Sequence, residues 1–322
     1  MRRQFEIDLH VRFPSYERRS LNMSRESRFA GTVPATAPAA STPPAARDLL
    51  WRMDHAGRVP DGGPRLHPLN HDFRWQEAQD DRLERLSADD VARFNADGFF
   101  VLRDAFRADE IAEIRAAIDP FEEAHVAYAM QRGGKVRLTD AAAITFTLHL
   151  VRRSQVLRDF SAHPTIRGIC HDLIGSAVRL YWDQAVYKKT EKVQEFPWHQ
   201  DNGYSFVLPQ QYLTLWIPLV DVDETNGCPW VAPRLHRMGT LEHWQTDIGL
   251  VCLERAPNAV AAPARVGDVV VFSSLAPHRT GPNTSNAVRK AYILQYAPDG
   301  AMVHTVDGQV VAQDDPERQY LI

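Results

Sequence analysis

The residues best suited to chemistry lie in the stretch 196–204 and in one distant loop. His199 and Asp201 are two positions apart, and in an extended segment this spacing points both side chains to the same face. An imidazole and a carboxylate that converge in this way can bind a divalent metal if a third ligand comes from elsewhere. His278, which follows Pro277, can supply a second imidazole. The pattern predicts a metal centre formed by His199, Asp201 and His278.

Two histidines, one carboxylate and open coordination positions make the facial triad of non-haem Fe(II) oxygenases. Taken singly, His199 has the ordinary interpretation of a strand histidine and His278 that of a loop histidine. Taken in this order, and followed by Arg289 eleven residues after His278, they favour a metal centre.

This ordered set resembles the phytanoyl-CoA dioxygenase family of Fe(II)- and 2-oxoglutarate-dependent oxygenases, over about residues 86–297. The resemblance rests on His199-x-Asp201, His278, Arg289 and the segment Asn-Gly-Cys-Pro-Trp-Val-Ala-Pro at 226–233. It implies a double-stranded β-helix, a cupin-like jelly-roll of two facing sheets with the metal near its mouth. It also implies Fe(II), 2-oxoglutarate as co-substrate and O2, with oxidation, most often hydroxylation, of a small organic molecule and release of succinate and CO2.

The resemblance further implies roles for single residues. Arg289 is expected to hold the distal carboxylate of 2-oxoglutarate, since a planar guanidinium can bind a carboxylate through two parallel hydrogen bonds. Its alternation with Ala291 and Ile293 points it into the barrel. The other candidates for co-substrate binding are Thr280, Gln184 and Trp216, the last of which is equally well explained as a core aromatic. The candidates for the substrate site come from position instead, since Tyr204 and Phe206 directly follow the metal motif and Trp230 lies within 226–233. Aromatic residues near a metal can line an apolar cleft, although aromatic residues in strands are usually core residues.

One segment departs from the family pattern. Residues 233–236 read Pro-Arg-Leu-His, where family members commonly carry Pro-Gly-Ser-His. The loop after this segment is therefore expected to differ, and no particular substrate is transferred from the family.

Three alternative functions use the same residues. A halogenase of this type usually has a small residue in place of the carboxylate, which Asp201 contradicts. A zinc hydrolase can use two histidines and a carboxylate, but Arg289 would then be unexplained. A non-catalytic β-barrel could bind metal or ligand without turnover, although it has no need of the complete set.

Composition excludes several classes of protein. The chain has 322 residues, 44% hydrophobic residues and a formal net charge of −4, so no basic field attracts it to nucleic acid. Cys170, Cys228 and Cys252 are far apart, which favours a reducing cytoplasm over a disulfide scaffold. No apolar run approaches the roughly 18 residues of a membrane span. We expect a cytoplasmic enzyme with a small-molecule substrate and no membrane or nucleic-acid partner, and the oligomeric state stays open.

The N-terminal region differs in composition from the rest. Residues 1–47 are rich in Arg, Ala, Pro, Thr and Ser, which predicts a disordered extension. Residues 48–322 are expected to form a single oxygenase domain, beginning with a short helix around Leu49, Leu50 and Met53.

The pattern within that domain predicts helices first and strands afterwards, a mainly β fold with flanking helices. Helices are predicted from Ser87 to Gly98, from Ile111 until Pro120 stops the helix, around 144–157 and over 164–174. The predicted strands are 99–102, 177–187, the His-x-Asp stretch at 196–204, 212–220, 228–231, 266–272 and 291–296. The histidines of the helical region, His125, His149, His163 and His171, are predicted to be packing or surface residues. Lys188, Lys189 and Lys192 form a basic cluster that could contact a carboxylate or phosphate, and the prediction for it is a solvated strand end.

Overall fold

The structure is a computed structural model that describes residues 63–131, 133–136, 139–305 and 308–322. The predicted disordered extension, residues 1–47, lies outside the described residues, as does the predicted helix around Leu49, Leu50 and Met53. Among the residues described, no helix is long and apolar enough to cross a membrane.

The described residues form a helical region followed by a strand-rich region. The helices are α1 Ala88–Asp97, α2 Ala108–Gln131, α3 Gln155–Ser161 and α4 Pro164–Ile174. The strands are β1 Phe99–Leu102, β2 Lys135–Val136, β3 Thr139–Asp140, β4 Ile144–Leu148, β5 Val178–Lys188, β6 Phe196–His199, β7 Phe206–Leu208, β8 Leu213–Pro218, β9 Pro229–Val231, β10 Trp244–Thr246, β11 Gly249–Val251, β12 Val260–Ala261, β13 Val269–Ser273, β14 His278–Thr280, β15 Arg289–Pro298, β16 Met302–His304 and β17 Val310–Ala312.

Helix α1 begins and ends where its sequence signals predict. The Ser87 hydroxyl accepts a hydrogen bond from the backbone N–H of Asp90 at 3.2 Å, and the Asp90 carboxylate accepts from the N–H of Ser87 at 3.1 Å. This reciprocal capping box satisfies donors that the first helical turn leaves unpaired. Gly98 ends the helix in the left-handed conformation, which glycine adopts at little cost.

The second helix does not stop at Pro120, so that prediction is wrong. Helix α2 runs through Pro120 to Gln131. Proline removes one backbone donor from a helix, but burial can offset this loss. Ile118 before the proline and Ala129 after it are both fully buried, so packing on both sides of Pro120 stabilises the continuous helix.

The helix predicted over 144–157 is also wrong, because most of this segment joins a sheet. Residues Ile144–Leu148 form strand β4, which pairs antiparallel with β5, and the helix α3 begins only at Gln155. Ile144, Thr145 and Thr147 are β-branched, which favours the strand. The apolar spacing in this segment fits both periods, and tertiary pairing decided between them.

The core of the fold is a double-stranded β-helix, as predicted. The larger sheet has six antiparallel strands in the order β1-β13-β8-β15-β5-β4, and the smaller has four in the order β12-β9-β14-β6. The two sheets face each other, because the ring of Phe272 on β13 lies 4.4 Å from the ring of His278 on β14. A third sheet, β17-β16-β7, lies beside them.

The helices cover the outer face of the six-stranded sheet. Ile111, Ile114 and Ile118 of α2 belong to one buried cluster with Leu215 and Leu294 of the sheet, and residues of α3 and α4 belong to the same cluster. Because side chains alternate along a strand, the residues between these core positions point to the opposite face. That interior face, between the two sheets, contains the site.

Candidate active site

Strand pairing brings the two predicted histidine ligands together. His199 ends β6, and His278 begins β14 directly opposite it in the antiparallel ladder. The two ring centroids are 4.2 Å apart, and Asp201 lies in the 3₁₀ turn that follows β6. One Asp201 oxygen, Oδ1, is 3.8 Å from Nε2 of His199 and 3.8 Å from Nε2 of His278. Three potential ligand atoms therefore face one point, all within 4.8 Å of one another.

The backbone orients both imidazoles for ligation. Nδ1 of His199 lies 2.8 Å from the carbonyl oxygen of Pro197, and Nδ1 of His278 lies 3.0 Å from that of Ala276. These contacts place the proton on Nδ1 and leave the Nε2 lone pair free for a metal. Burial lowers the pKa of His199 to about 3 and that of His278 to about 4. Both rings are therefore neutral, the form that binds metal.

The carboxylate of Asp201 is oriented by the six-stranded sheet. The Thr214 hydroxyl on β8 donates to Oδ2 of Asp201, and Gln295 on β15 also hydrogen-bonds this carboxylate. Burial raises the pKa of Asp201, while the neighbouring His199 and these two hydrogen bonds oppose that shift. The sequence pattern did not predict a role for Thr214 or Gln295. The alternation of Arg289, Ala291 and Ile293 could have identified Gln295, because the next residue on the same face of β15 is Gln295.

A polar network next to the three predicted metal ligands holds the His-x-Asp segment in place. The side-chain amide of Gln200 hydrogen-bonds backbone groups of Gly239, Leu241 and Leu275. The backbone N–H of Gln200 donates to Nε2 of the buried His243 at 2.9 Å. Gly203 lies against the same ring, where a Cβ would approach Cε1 of His243 to 2.1 Å. This segment is therefore packed on both its faces.

Arg289 is buried with unsatisfied donors. Its side chain is 1% exposed, and Nη1 donates to the carbonyl of Val186 at 3.0 Å. Nε and Nη2 are buried and have no hydrogen-bond partner among the described residues. The guanidinium lies 5.3 Å from the Trp216 ring, and burial lowers its pKa to about 9. A buried cation with two free donors fits a carboxylate ligand.

Lys188, directly opposite Arg289 on β5, is not part of a solvated strand end, so that prediction is wrong. It is 1% exposed, and its Nζ donates to the carbonyls of Gln194 at 3.1 Å, Thr280 at 2.9 Å and Gly281. All three ammonium donors are used, which connects β5 to the end of β14. The strand-end prediction failed because Lys188 alternates with Val186 onto the interior face.

Four of the other predicted site residues lie near the interior. Trp216 is 3% exposed on β8, opposite Ile293, and Gln184 lies half-buried on β5, also opposite Ile293. Thr280 follows His278 by two residues on β14 and is half-buried. The Tyr204 ring stands perpendicular to that of His199 at 5.5 Å.

The other two predicted substrate residues are Trp230 and Phe206. Trp230 pairs with Arg279 on β14, and cross-strand partners share a face, so Trp230 points away from His278. Its ring lies 5.4 Å from the Arg279 guanidinium on the outer side. Phe206 is on β7 of the third sheet and stacks on His67 at 4.7 Å. Alternation therefore places Trp230 on the face opposite to His278, and Phe206 lies on a different sheet from His199 and His278.

The sequence predicts packing or surface roles for the four histidines of the helical region. Within the described ranges, the one group of side chains able to hold a metal ion is His199, Asp201 and His278. His125, His149, His163 and His171 are not in that group.

One residue in the segment that departs from the family pattern has a left-handed backbone conformation. Arg234 occupies the second position of Pro-Arg-Leu-His and has φ 72°, in the left-handed region that favours glycine. His236, two residues later, is buried against Trp75 with ring centroids 4.4 Å apart. Arg234 therefore adopts this conformation at some conformational cost.

The chain belongs to the phytanoyl-CoA dioxygenase family, whose model matches residues 94–291, more than half of the sequence. It is 32% identical over 146 residues to a 2-aminoethylphosphonate dioxygenase from the uncultured bacterium HF130_AEPn_1, covering 42% of this chain and 55% of that protein. It is 28% identical over 184 residues to an ectoine dioxygenase from Sphingopyxis alaskensis, covering 54% of this chain and 56% of the relative. The chain thus spans about half the length of the curated relatives it matches.

Solved structures share the fold. EctD from S. alaskensis, in complex with 2-oxoglutarate and 5-hydroxyectoine, is 23% identical with a TM-score of 0.55, covering 75% of this chain and 84% of that one. The epimerase SnoN, in complex with Fe3+, alpha ketoglutarate and nogalamycin RO, is 20% identical with a TM-score of 0.56, covering 71% of this chain and 95% of that one. At these identities the likeness establishes the double-stranded β-helix.

Proposed function

We propose that this protein is a mononuclear Fe(II)- and 2-oxoglutarate-dependent dioxygenase that oxidises a small organic molecule by hydroxylation. His199, Asp201 and His278 would hold the metal, because two neutral Nε2 atoms and one carboxylate oxygen face one point. Three ligands on one side leave positions for a co-substrate and O2. Family membership and the complexes of the similar structures support the same assignment.

Arg289 carries the most weight in this proposal. Its free Nε and Nη2 atoms are buried on the interior face, and the distal carboxylate of 2-oxoglutarate would satisfy both. Trp216 would bound the same pocket, and Thr280 and Gln184 are further candidates for lining it. With Fe(II) and 2-oxoglutarate bound, the site would couple oxidative decarboxylation to succinate and CO2 with oxidation of the second substrate.

The other residues of the site would orient the metal ligands and exclude water. Thr214 and Gln295 hold the Asp201 carboxylate so that Oδ1 faces the histidines. The backbone carbonyls of Pro197 and Ala276 hold the imidazole protons on Nδ1. Tyr204 stands beside His199 and would exclude water from that side of the substrate cleft.

The alternatives make different demands on the residues. A zinc hydrolase gives no role to the buried, half-unsatisfied guanidinium of Arg289. Halogenation would need a coordination position that Asp201 occupies. A barrel that binds without turnover is the remaining rival, and a turnover measurement separates it from the enzyme.

Succinate release from 2-oxoglutarate by the Fe(II)-loaded full chain, with a panel of small molecules, tests the proposal. His199→Ala, Asp201→Ala and His278→Ala should each abolish both turnover and iron retention, while the exposed His71→Ala should keep both. Far-UV circular dichroism checks that the fold survives. Substantial activity and iron content in all three ligand variants would refute the assignment.

The organisation of the whole chain is part of the same proposal. We expect residues 48–322 to form one oxygenase domain and residues 1–47 to be dispensable for folding and turnover. Cys170, Cys228 and Cys252 are all free and buried, which supports a cytoplasmic location. Deleting residues 1–47 should leave folding and turnover intact, and loss of either would contradict this organisation.

A further inference from the structure

An apolar wall adjoins the proposed metal site on the side of strand β4. The wall consists of Phe146 on β4, Phe196 on β6 and Ile293 on β15, all half-buried and packed against one small buried cluster. The Phe196 ring is 4.9 Å from the His199 ring at 89° and 5.5 Å from the Phe146 ring. A continuous apolar surface therefore extends from a proposed metal ligand to the edge strand of the sheet.

The position of Phe146 follows from strand pairing. Phe146 lies opposite Val186 on β5, and Val186 lies opposite Ala291 on β15. Cross-strand partners share a face, and Ala291 is in the interior cluster with Trp216. Phe146 thus faces the interior of the barrel and is only half-buried there.

The hairpin formed by β10 and β11 covers the other side of Phe196. Gly249 begins β11 with φ 131°, a conformation that favours glycine. A Cβ there would be 2.7 Å from the Tyr204 hydroxyl oxygen and 3.3 Å from Cζ of Phe196. The N–H of Leu250 donates to the Tyr204 hydroxyl at 3.2 Å. Because the hydroxyl is engaged by the hairpin, Tyr204 offers its ring to the cleft.

The charged side chains around this wall already have partners. Lys188 donates to three carbonyls. Lys189 pairs with Glu122 at 2.6 Å, and Glu195 pairs with Arg279 at 2.6 Å. Arg289 is the anchor of the proposed co-substrate. A charged substrate group on the wall would lose its hydration without gaining a counter-charge, which is unfavourable.

We propose that the substrate carries its reacting position on a neutral, apolar portion, such as a hydrocarbon ring, which packs on Phe146, Phe196 and Ile293. This inference rests on the proposed function, since it concerns the second substrate of that same site. The small zwitterionic compounds named for two of the relatives, ectoine and 2-aminoethylphosphonate, lack such a portion.

Calorimetric titration with matched probes tests this inference. The neutral probes are cyclohexanol, indole and 2-naphthol, and the charged probes are ectoine and 2-aminoethylphosphonate. Each is titrated into the full chain, with and without Fe(II) and 2-oxoglutarate under anaerobic conditions. We expect at least one neutral probe to bind about tenfold more tightly than either charged probe, in keeping with burial of its apolar surface.

Two substitutions, one on each side of the six-stranded sheet, provide a test and its control. Phe146→Ala should weaken binding of the neutral probe roughly tenfold, as expected for removing most of one aromatic contact. Phe121→Ala, which truncates a half-buried phenylalanine of α2 packed with the outer core, should leave probe affinity unchanged. Preference for a charged probe, an unchanged affinity in Phe146→Ala, or no binding of any neutral probe would each overturn the inference.

The same titrations separate this inference from the proposed function. Binding of 2-oxoglutarate to the Fe(II) protein is measured in parallel, through the visible metal-to-ligand absorption band. Absence of that band would refute the co-substrate site, whereas binding of neutral probes to the metal-free chain would still support the apolar wall. A band accompanied by preference for charged probes would refute the wall alone.

Discussion

The Thr214 hydroxyl donates a hydrogen bond to Oδ2 of Asp201, so that Oδ1 is the oxygen that faces His199 and His278. The two residues come from different parts of the barrel, Thr214 from the six-stranded sheet and Asp201 from the turn after β6. The contact therefore connects the two sides of the site. It also fixes which carboxylate oxygen is available to a metal.

Removing this contact should weaken metal binding. Thr214→Val keeps the shape of the side chain but lacks the hydroxyl, and loss of such a supporting contact typically costs ten- to a hundredfold in metal affinity, about 1.4–2.8 kcal/mol. Thr214→Ser retains the hydroxyl and should restore most of the affinity. Titration with Co(II), followed by its visible absorption, measures both. Equal affinity in Thr214→Val and the unchanged protein would show that Gln295 alone suffices.

Substituting Arg289 should affect the co-substrate much more than the metal. Arg289→Lys loses the paired, charge-assisted hydrogen bonds, which costs on the order of 1.5–3 kcal/mol, or roughly ten- to a hundredfold in 2-oxoglutarate affinity. Arg289→Ala should be worse, because the carboxylate would then be buried without a partner. The metal-to-ligand absorption band of the anaerobic Fe(II) protein follows binding.

A 2-oxo acid without the distal carboxylate provides the control for Arg289. Its affinity should differ little between the unchanged protein and Arg289→Ala, since the lost contact never formed. Unchanged 2-oxoglutarate affinity in Arg289→Ala would place the co-substrate anchor elsewhere.

Gly203 should tolerate no side chain. A Cβ there would lie within 2.4 Å of three atoms of the buried His243 ring, and relieving such an overlap typically costs about 1–3 kcal/mol. Gly203→Ala should lower the free energy of unfolding and displace the adjacent Asp201. Urea unfolding measures the loss, with Gly281→Ala as control, because a Cβ at Gly281 meets its first neighbour at an ordinary 3.7 Å. Equal stability of the two variants would contradict this account.

Asp172 on α4 should stabilise the segment that precedes α1. Its carboxylate accepts from the backbone N–H groups of Glu84, Arg85 and Leu86 at 2.8–2.9 Å. Burial by itself raises the pKa of Asp172, but hydrogen bonds from His171 and these three amides bring it below its usual value. Asp172→Ala should lower the free energy of unfolding by about 2–4 kcal/mol at neutral pH, since buried donors lose their acceptor.

The pH dependence of Asp172 has a defined sign. A carboxyl group whose folded pKa is depressed stabilises the fold above its unfolded pKa, near 3.9, and loses that contribution as pH falls through its lower folded value. The stability difference between Asp172→Ala and the unchanged protein should therefore shrink below about pH 4. Urea unfolding at neutral and acid pH measures it, and a difference that grew in acid would have the wrong sign.

The local features of this protein were readable from the sequence. His199 and Asp201 are only two residues apart in the chain. The extended backbone of Gln200 between them is enough to bring both side chains to one side. The capping box of Ser87 and Asp90 likewise acts within one helical turn. The alternation of Arg289 with Ala291 and Ile293 placed all three on one face, because successive strand residues point to opposite sides.

Only the tertiary structure decided how distant segments meet. Alternation relates residues within one strand but does not say which face is interior or which strand is the neighbour. The pairing of β14 with β6 brings His278 to His199, and the same ladder points Trp230 outward with Arg279. Pairing with β5 makes residues 144–148 a strand and brings Phe146 to the interior. Burial of Lys188 depends on carbonyls of two other segments, and hydrogen bonds across such separations are formed only by the folded chain.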